Sequence, residues 1–271
     1  MIQADYHVHS SFSGDSKSPM EEIIQKAVDL GLKYICFTEH FDYDFPYIKP
    51  EEIGMFDLET EKYLEKADYY QSKYRAQIKI LHGIEIGVQP HIGEYLNEYA
   101  SRYPFDFIIA SSHVCDRIDP YYPVFFENRT VKEAVRSYFE GILKNIEVFE
   151  QFNVYGHMDY VLRYVSGIAN EYSHTDYEDL LEEILKSLIS MDKGIEINSG
   201  GMRTVLKRTN PSFEVLRLYK ELGGEIITVG SDAHKPEHLA WEFKHCEDVL
   251  KEAGFHYYTI FQKRKPTFLP L

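Results

Sequence analysis

Twelve histidines are spread along the 271 residues of this chain, and several stand beside an aspartate or a glutamate. His7-Val8-His9 alternates with the period of a strand, so both imidazoles would project from one face and could grip a single cation. Two polar side chains on a half-exposed strand would show the same pattern. Asp15 follows in a Ser/Gly-rich loop, as a ligand or as a turn former. Glu85 stands between Ile84 and Ile86, and a carboxylate in so apolar a run is costly unless paired or coordinated. Ser231-Asp232-Ala233-His234 sets a carboxylate and an imidazole just past another apolar run. With His40, His113 and His157, the metal-competent set is His7, His9, Asp15, His40, Glu85, His113, His157, Asp232 and His234. Such a set could hold three ions if one carboxylate bridges two of them. Mixed imidazole and carboxylate donors suit Zn, Mn or Fe better than Mg or Ca, which favour all-oxygen shells. Three divalent ions less Asp15, Glu85, Asp232 and one hydroxide leave about two positive charges, a match for a phosphate dianion.

These residues must be positioned by the elements that precede them. Strand candidates are Ile2–His7, Tyr34–Thr38, Ile78–Ile86, Phe105–Ser111, Val154–His157, Ile195–Asn198 and Ile226–Gly230. Amphipathic stretches lie between them: Pro19–Leu30, Thr60–Arg75, Thr130–Phe149, Tyr177–Asp192 and Pro211–Leu222. Alternating strands and helices argue for a parallel α/β sheet, closed as a barrel or open. Ser18-Pro19 and Asn210-Pro211, each followed by acids, have the form of helix N-termini. Each strand delivers a polar or metal-competent residue at or near its C-terminal end, the rim on which parallel α/β barrels carry their active sites. The helical patterns run through a chain without repeats or linkers, so residues 1–271 are expected to form one domain.

Three arginines fall near the same rim in sequence: Arg117 after His113, Arg163 after His157 and Arg203 after Asn198. The planar guanidinium fork suits phosphate oxygens, and each is a candidate for substrate binding or, alternatively, a solvated surface charge. Tyr43, Phe45, Tyr47 and Phe56 could cover a ring-bearing substrate or could pack the long segment between Phe41 and Tyr74 onto the barrel. The chain has no Cys-x5-Arg loop and no N-terminal Asp-x-Asp, so nothing supports a phospho-enzyme route.

His7-Val8-His9, Asp15, Thr38-Glu39-His40, Gly83-Ile84-Glu85, Ser112-His113, Gly156-His157-Met158-Asp159 and Ser231-Asp232-Ala233-His234 resemble, in order, the motifs of the polymerase-and-histidinol-phosphatase (PHP) family. The resemblance implies a distorted (β/α)7 barrel with a trinuclear metal site at the C-terminal ends of its strands. Position by position, His7, His9, Glu85 and Asp232 would hold one ion. Glu85 would bridge to a second, completed by His113 and His157, and Asp15, His40 and His234 would hold the third. Length, the segment after His40 and Asn198-Ser199-Gly200-Gly201-Met202-Arg203 are similar to the stand-alone histidinol-phosphate phosphatase branch. That likeness implies hydrolysis of L-histidinol phosphate, a small phosphate monoester, to L-histidinol and phosphate by a metal-bridging hydroxide. Arg163 and Arg203 would hold phosphate oxygens, with Asp232 or His234 relaying the proton. Other readings are another phosphoesterase of the family acting on phosphotyrosine or nucleotides, a metal-binding module without catalysis, and an amidohydrolase, for which no Lys stands at these strand ends.

Composition narrows the classes further. Hydrophobic residues make up 44% and charged residues 27%, which suits a globular core and excludes a disordered or fibrous chain. The formal net charge of -15 sets the chain against nucleic acid as a partner. No apolar run reaches the length of a membrane span, and the N-terminus lacks a secretory hydrophobic segment. Three scattered cysteines (Cys36, Cys115, Cys246) fit a reducing compartment, so a cytoplasmic location is expected.

Overall fold

The computed structural model describes residues 1–165 and 172–271. Seven strands form one parallel sheet in chain order: β1 (Ala4–Val8), β2 (Tyr34–Phe41), β3 (Lys79–Gly87), β4 (Phe107–Ser111), β5 (Val154–Tyr155), β6 (Gly194–Asn198) and β7 (Ile227–Gly230). Helices α1 (Met20–Asp29), α2 (Thr60–Tyr74), α3 (Gly93–Arg102), α4 (Val131–Val148), α5 (Glu178–Ser190) and α6 (Phe213–Glu221) lie in the successive crossovers, and α7 (Phe243–Glu252) follows β7. The ring closes where β1 meets the exit of β7. The His9 amide donates to the Ala233 carbonyl at 2.9 Å and the Asp232 amide to the His7 carbonyl at 2.8 Å. This is the distorted seven-stranded barrel expected. The strands are buried on both faces, as parallel strands under helices must be.

The register of β1 has a consequence for the site. Asp5 pairs with Ile35 but Val8 with Phe37, so β1 carries one extra residue over that span. The bulge lets two consecutive side chains serve the barrel interior. Tyr6 packs edge-on to Phe107 of β4 at 5.2 Å, and His7 reaches Glu85 of β3.

Two helices and a hairpin escape the sequence pattern. Helices α3 and α7, ten residues each, are not among the amphipathic stretches read from the sequence. Strands β8 (Tyr257–Gln262) and β9 (Lys265–Pro270) pair antiparallel across a turn of Lys263 and Arg264, both left-handed at φ 50° and 64°. Such a turn normally calls for Asn or Gly, which is why the hairpin was not legible. Its conformation is held from outside: the Asp106 carboxylate accepts the Lys263 amide at 2.8 Å, and its carbonyl accepts that of Arg264 at 2.8 Å. The hairpin seals the N-terminal end of the barrel. The Tyr6 hydroxyl donates to the Phe261 carbonyl at 2.8 Å and accepts its amide at 3.0 Å, while the Phe107 and Phe261 rings lie 5.3 Å apart.

The expected helix caps are used otherwise. Ser18 donates to the His234 carbonyl at 3.0 Å and does not cap α1. Asn210 stands on the rim beside Arg163, and α6 begins only at Phe213. The segment from Phe41 to Tyr74 comprises the end of β2, a loop and α2, so it is the β2–β3 crossover itself. No described helix is long and apolar enough to cross a membrane.

Candidate metal centre

Glu85 is the hub of the site. It is fully buried in β3, and its two oxygens face different groups. Oε2 lies 3.1 Å from His7 Nε2, 3.4 Å from His9 Nε2 and 3.1 Å from His40 Nδ1. Oε1 lies 2.8 Å from His157 Nε2 and 3.1 Å from His113 Nε2, and it accepts the Ser111 hydroxyl at 2.7 Å. Asp232 Oδ1 completes the first group at 3.8 Å from His7 Nε2 and 3.6 Å from His9 Nε2. Asp15 Oδ2 sits 3.1 Å from His234 Nε2 and 3.6 Å from His40 Nε2. All nine residues singled out in the sequence therefore converge on the mouth of the barrel.

The imidazoles are oriented from behind, by residues the sequence reading passed over. His7 Nδ1 lies 2.6 Å from Glu196 Oε1, and His113 Nδ1 lies 2.7 Å from Asp42 Oδ1. Ser13 Oγ donates to Glu39 and accepts the His40 amide, which leaves it an acceptor for His9 Nδ1–H at 3.1 Å. Each contact puts the proton on Nδ1 and leaves the Nε2 lone pair facing the cluster. Glu196 was detectable, since it stands between Ile195 and Ile197 as Glu85 does between Ile84 and Ile86. Asp42 lies two residues past His40. Its place needs Gly87, where a Cβ would come within 1.7 Å of Asp42 Oδ1. Asp232 has a left-handed backbone, φ 55°, a conformation aspartate tolerates better than most residues.

The charges are mutually dependent. Burial disfavours the charged form of His7, but Glu196, Glu85 and Asp232 hold its pKa well above the usual value. His113 is likewise opposed by burial and is raised to about 10 by Asp42 and Glu85. Burial, then neighbouring His40, His234 and His7, keep His9 well below. Against their own burial, Glu85 is held low chiefly by His7 and His113, and Asp232 by His7 and Arg163. Two of the atoms that face the cluster, His9 Nε2 and His234 Nε2, are buried without a hydrogen-bond partner. Buried polar atoms are normally satisfied, and cations are the partners that this donor set fits. Two ligands about 2.1 Å from a tetrahedral zinc lie about 3.4 Å apart, within the 3.1–3.8 Å spread of the first group. Triads drawn from these residues have ligand atoms within 4.8 Å of one another, among them His7 with His9 and Glu85, and Glu85 with His113 and His157.

The centre opens into a cavity lined by Asp15, His40, Asp42, His113, His157, Asp232 and His234 on the metal side, with Arg163, Asp119, Tyr160, Tyr164, Phe45 and Phe56. Arg163 is held by Asp232 Oδ2 at 3.3 Å and Asn210 Oδ1 at 3.4 Å, over the Tyr160 ring. Arg203 stands beside the cavity. Its Nη2 donates to the Ser231 and Asp232 carbonyls, both at 2.9 Å, while Nη1 is buried and unpartnered. Arg117 is not brought to the cavity: it is half exposed, paired with Asp44 and in contact with His91. A left-handed backbone at Asp116 and Arg117 turns it outward. Of the aromatic set, Phe45 and Phe56 line the cavity, Tyr47 braces the Phe56 amide at 2.9 Å, and Tyr43 packs on Tyr95.

A closed parallel barrel with a histidine and carboxylate cluster at its C-terminal mouth defines a metal-dependent hydrolase class. The PHP domain model matches residues 5–200, and the chain belongs to the PHP family. It is 34% identical over 269 residues to the histidinol-phosphatase of Lactococcus lactis subsp. lactis, covering 98% of this chain and 96% of that one. It is 31% identical to a "Probable histidinol-phosphatase" of Clostridium acetobutylicum, over 96% of this chain and 97% of that one. The crystal structure of the Lactococcus lactis histidinol phosphate phosphatase, complexed with zinc, L-histidinol and phosphate, superposes with a TM-score of 0.89 at 32% identity and covers 98% of both chains.

Proposed function

We propose that this protein is a metal-dependent phosphomonoesterase that hydrolyses L-histidinol phosphate to L-histidinol and phosphate, a step of histidine biosynthesis. The observation that carries the reading is one cavity in which Arg163 shares the wall with six of the nine metal-competent side chains, Asp15, His40, His113, His157, Asp232 and His234, while His7, His9 and Glu85 converge on them from the barrel interior. The likeness to the Lactococcus lactis enzyme supplies the substrate. His7, His9, Glu85 and Asp232 would hold one ion, Glu85, His113 and His157 a second, and Asp15, His40 and His234 a third, with zinc the metal bound by the Lactococcus relative. Bound divalent ions would supply an activated water at neutral pH and neutralise the phosphate.

The residues of this chain do the rest. Arg163 offers its guanidinium edge to the phosphate oxygens and is kept in place by Asp232 and Asn210. Arg203 fixes the Asp232 carbonyl and keeps one buried nitrogen free for a phosphate oxygen. His234 and Asp232 border the cavity, where either can take a proton released by the attacking water and relay it to the departing alkoxide. Tyr160 stacks under Arg163 and narrows the site against bulk water.

Phosphate release from L-histidinol phosphate, phosphotyrosine and p-nitrophenyl phosphate, with metal content measured alongside, tests this reading. The expected result is a kcat/KM for L-histidinol phosphate at least about tenfold above the other two, lost on chelation and restored by zinc or manganese. Equal efficiency across the panel would overturn the substrate, and undiminished activity in a metal-free sample would overturn the metal centre.

A further inference from the structure

A second cavity lies between the β3–α3 connection, the β4–α4 connection and helix α4, and it shares no lining residue with the barrel mouth. Its floor is formed by buried Gln89, Val114, Cys115 and Asn145, and its rim carries exposed Asp116, Arg117 and Lys144. Gln89 and Asn145 are 4% and 3% exposed, and each has an amide oxygen, Oε1 and Oδ1, without a hydrogen-bond partner. Their nitrogens are committed to groups that do not line the cavity. Gln89 Nε2 donates to the Tyr43 and Asp44 carbonyls, both at 3.2 Å, and Asn145 Nδ2 to Ser112 Oγ at 2.9 Å. Two carbonyls can only accept, so the free end of Gln89 must be its oxygen. Buried acceptors are normally satisfied, and two of them in one cavity call for a ligand that brings N–H donors. Both oxygens are neutral and the floor holds no carboxylate, so a neutral N–H matches them better than an ammonium would. The rim offers both signs of charge. Arg117 is taken by Asp44, but neither Lys144 nor Asp116 has an oppositely charged side chain within 4.0 Å among the described residues. Gly141 keeps the space open. It stands inside the 18-residue helix α4, where glycine weakens a helix relative to alanine, and a Cβ there would lie 3.3 Å from Cys115 Sγ.

We propose that this cavity binds a free α-amino acid whose side chain ends in a neutral N–H donor, a carboxamide or a heteroaryl N–H. That donor meets Gln89 and Asn145 on the floor, while the carboxylate and ammonium groups meet Lys144 and Asp116 at the rim. The site is separate from the catalytic cavity and does not depend on the histidinol phosphate reading.

The test is calorimetric titration of the metal-loaded protein with L-glutamine, L-tryptophan and L-methionine, in wild type, Lys144→Glu and Gly141→Met. L-Glutamine or L-tryptophan should bind saturably, one per chain, with a Kd below about 1 mM. L-Methionine, close to L-glutamine in length but without an N–H on its side chain, should bind at least about tenfold more weakly. Gly141→Met, which fills the cavity, should abolish binding. Lys144→Glu, on the exposed rim, should weaken it about three- to tenfold and keep wild-type kcat/KM, metal content and melting temperature; it decides alone if Gly141→Met does not fold. Absence of saturable binding by both N–H ligands below about 1 mM overturns the site, and equal binding of L-methionine overturns the role of the two amide oxygens. Unaltered binding in the folded variants places the ligand elsewhere and overturns the proposal, with the phosphatase reading untouched.

Discussion

Replacing Glu196 by Gln removes one charge and changes almost no volume, yet the geometry predicts a large loss of metal affinity. Glu196 is buried in β6. Oε1 lies 2.6 Å from His7 Nδ1, while Oε2 accepts the His157 amide at 3.1 Å and the Asn198 side chain at 3.2 Å. Three donors thus converge on two acceptors. A glutamine with its oxygen toward His7 turns its NH2 onto the His157 and Asn198 donors. Turned the other way, it donates to His7 Nδ1 and drives the proton to Nε2, the atom that faces Glu85 and Asp232. One orientation leaves buried donors unpaired, at about 1–3 kcal/mol; the other removes the lone pair a ligand needs. Either way, apparent metal affinity should fall about 10- to 100-fold, the usual range when a carboxylate behind a ligating histidine is lost. Chelator-stripped wild type and Glu196→Gln would be titrated with zinc at buffered free concentrations, following bound metal and phosphate release. The expected outcome is a rightward shift of half-saturation with much of the turnover recovered at high zinc. Superimposable titrations, with equal melting temperatures, would refute the orienting role.

Glu85→Gln should lower bound metal per chain and cut kcat/KM by more than about 100-fold, because both oxygens serve separate ligand groups; normal metal content in that variant would end the bridging assignment. Arg163→Ala should cost roughly thirty- to several-thousand-fold in kcat/KM, with Arg163→Lys a poor rescue; wild-type efficiency in the alanine variant would return Arg163 to a packing role. In the metal-free protein His7, His40 and His113 are held above their ordinary 6.5, the last to about 10. Loading with zinc at pH 7.5 should therefore release on the order of two or more protons per chain, read by calorimetry in buffers of different ionisation enthalpy. The sign for stability follows from the same shifts. Raised imidazoles stabilise the metal-free fold fully below 6.5, and that stability is lost as pH rises toward about 10, so the chelated protein should melt earlier across that window. A flat profile would contradict the protonated cluster. Tyr6→Phe should cost about 1–3 kcal/mol in chemical unfolding, because it strands the Phe261 amide and carbonyl; an unchanged midpoint would mean the hairpin seals the barrel by packing alone.

Local pattern determined much of this protein. The alternation of apolar runs and amphipathic stretches specifies a parallel sheet under helices, and each ligand sits next to the strand end that delivers it, within reach of a one-dimensional reading. Even the acid in an apolar run, Glu85, announces itself by the cost of burying it. The tertiary structure decided which of these groups meet. His7 and Glu196 touch across 189 residues of sequence, and only closure of the ring and the extra residue in β1 set them face to face. Arg117, Arg163 and Arg203 are alike in sequence, each a few residues past a rim residue. The left-handed backbone at Arg117 turns one outward to Asp44, whereas Asn210 and Asp232 draw Arg163 into the cavity. The β8–β9 hairpin was hidden for a related reason: its Lys263-Arg264 turn is stabilised by Asp106, more than 150 residues away, so nothing in the turn itself signals it. Sequence periodicity fixes which faces are buried, but a partner supplied by a distant strand is set by register and closure, and those exist only once the barrel has formed.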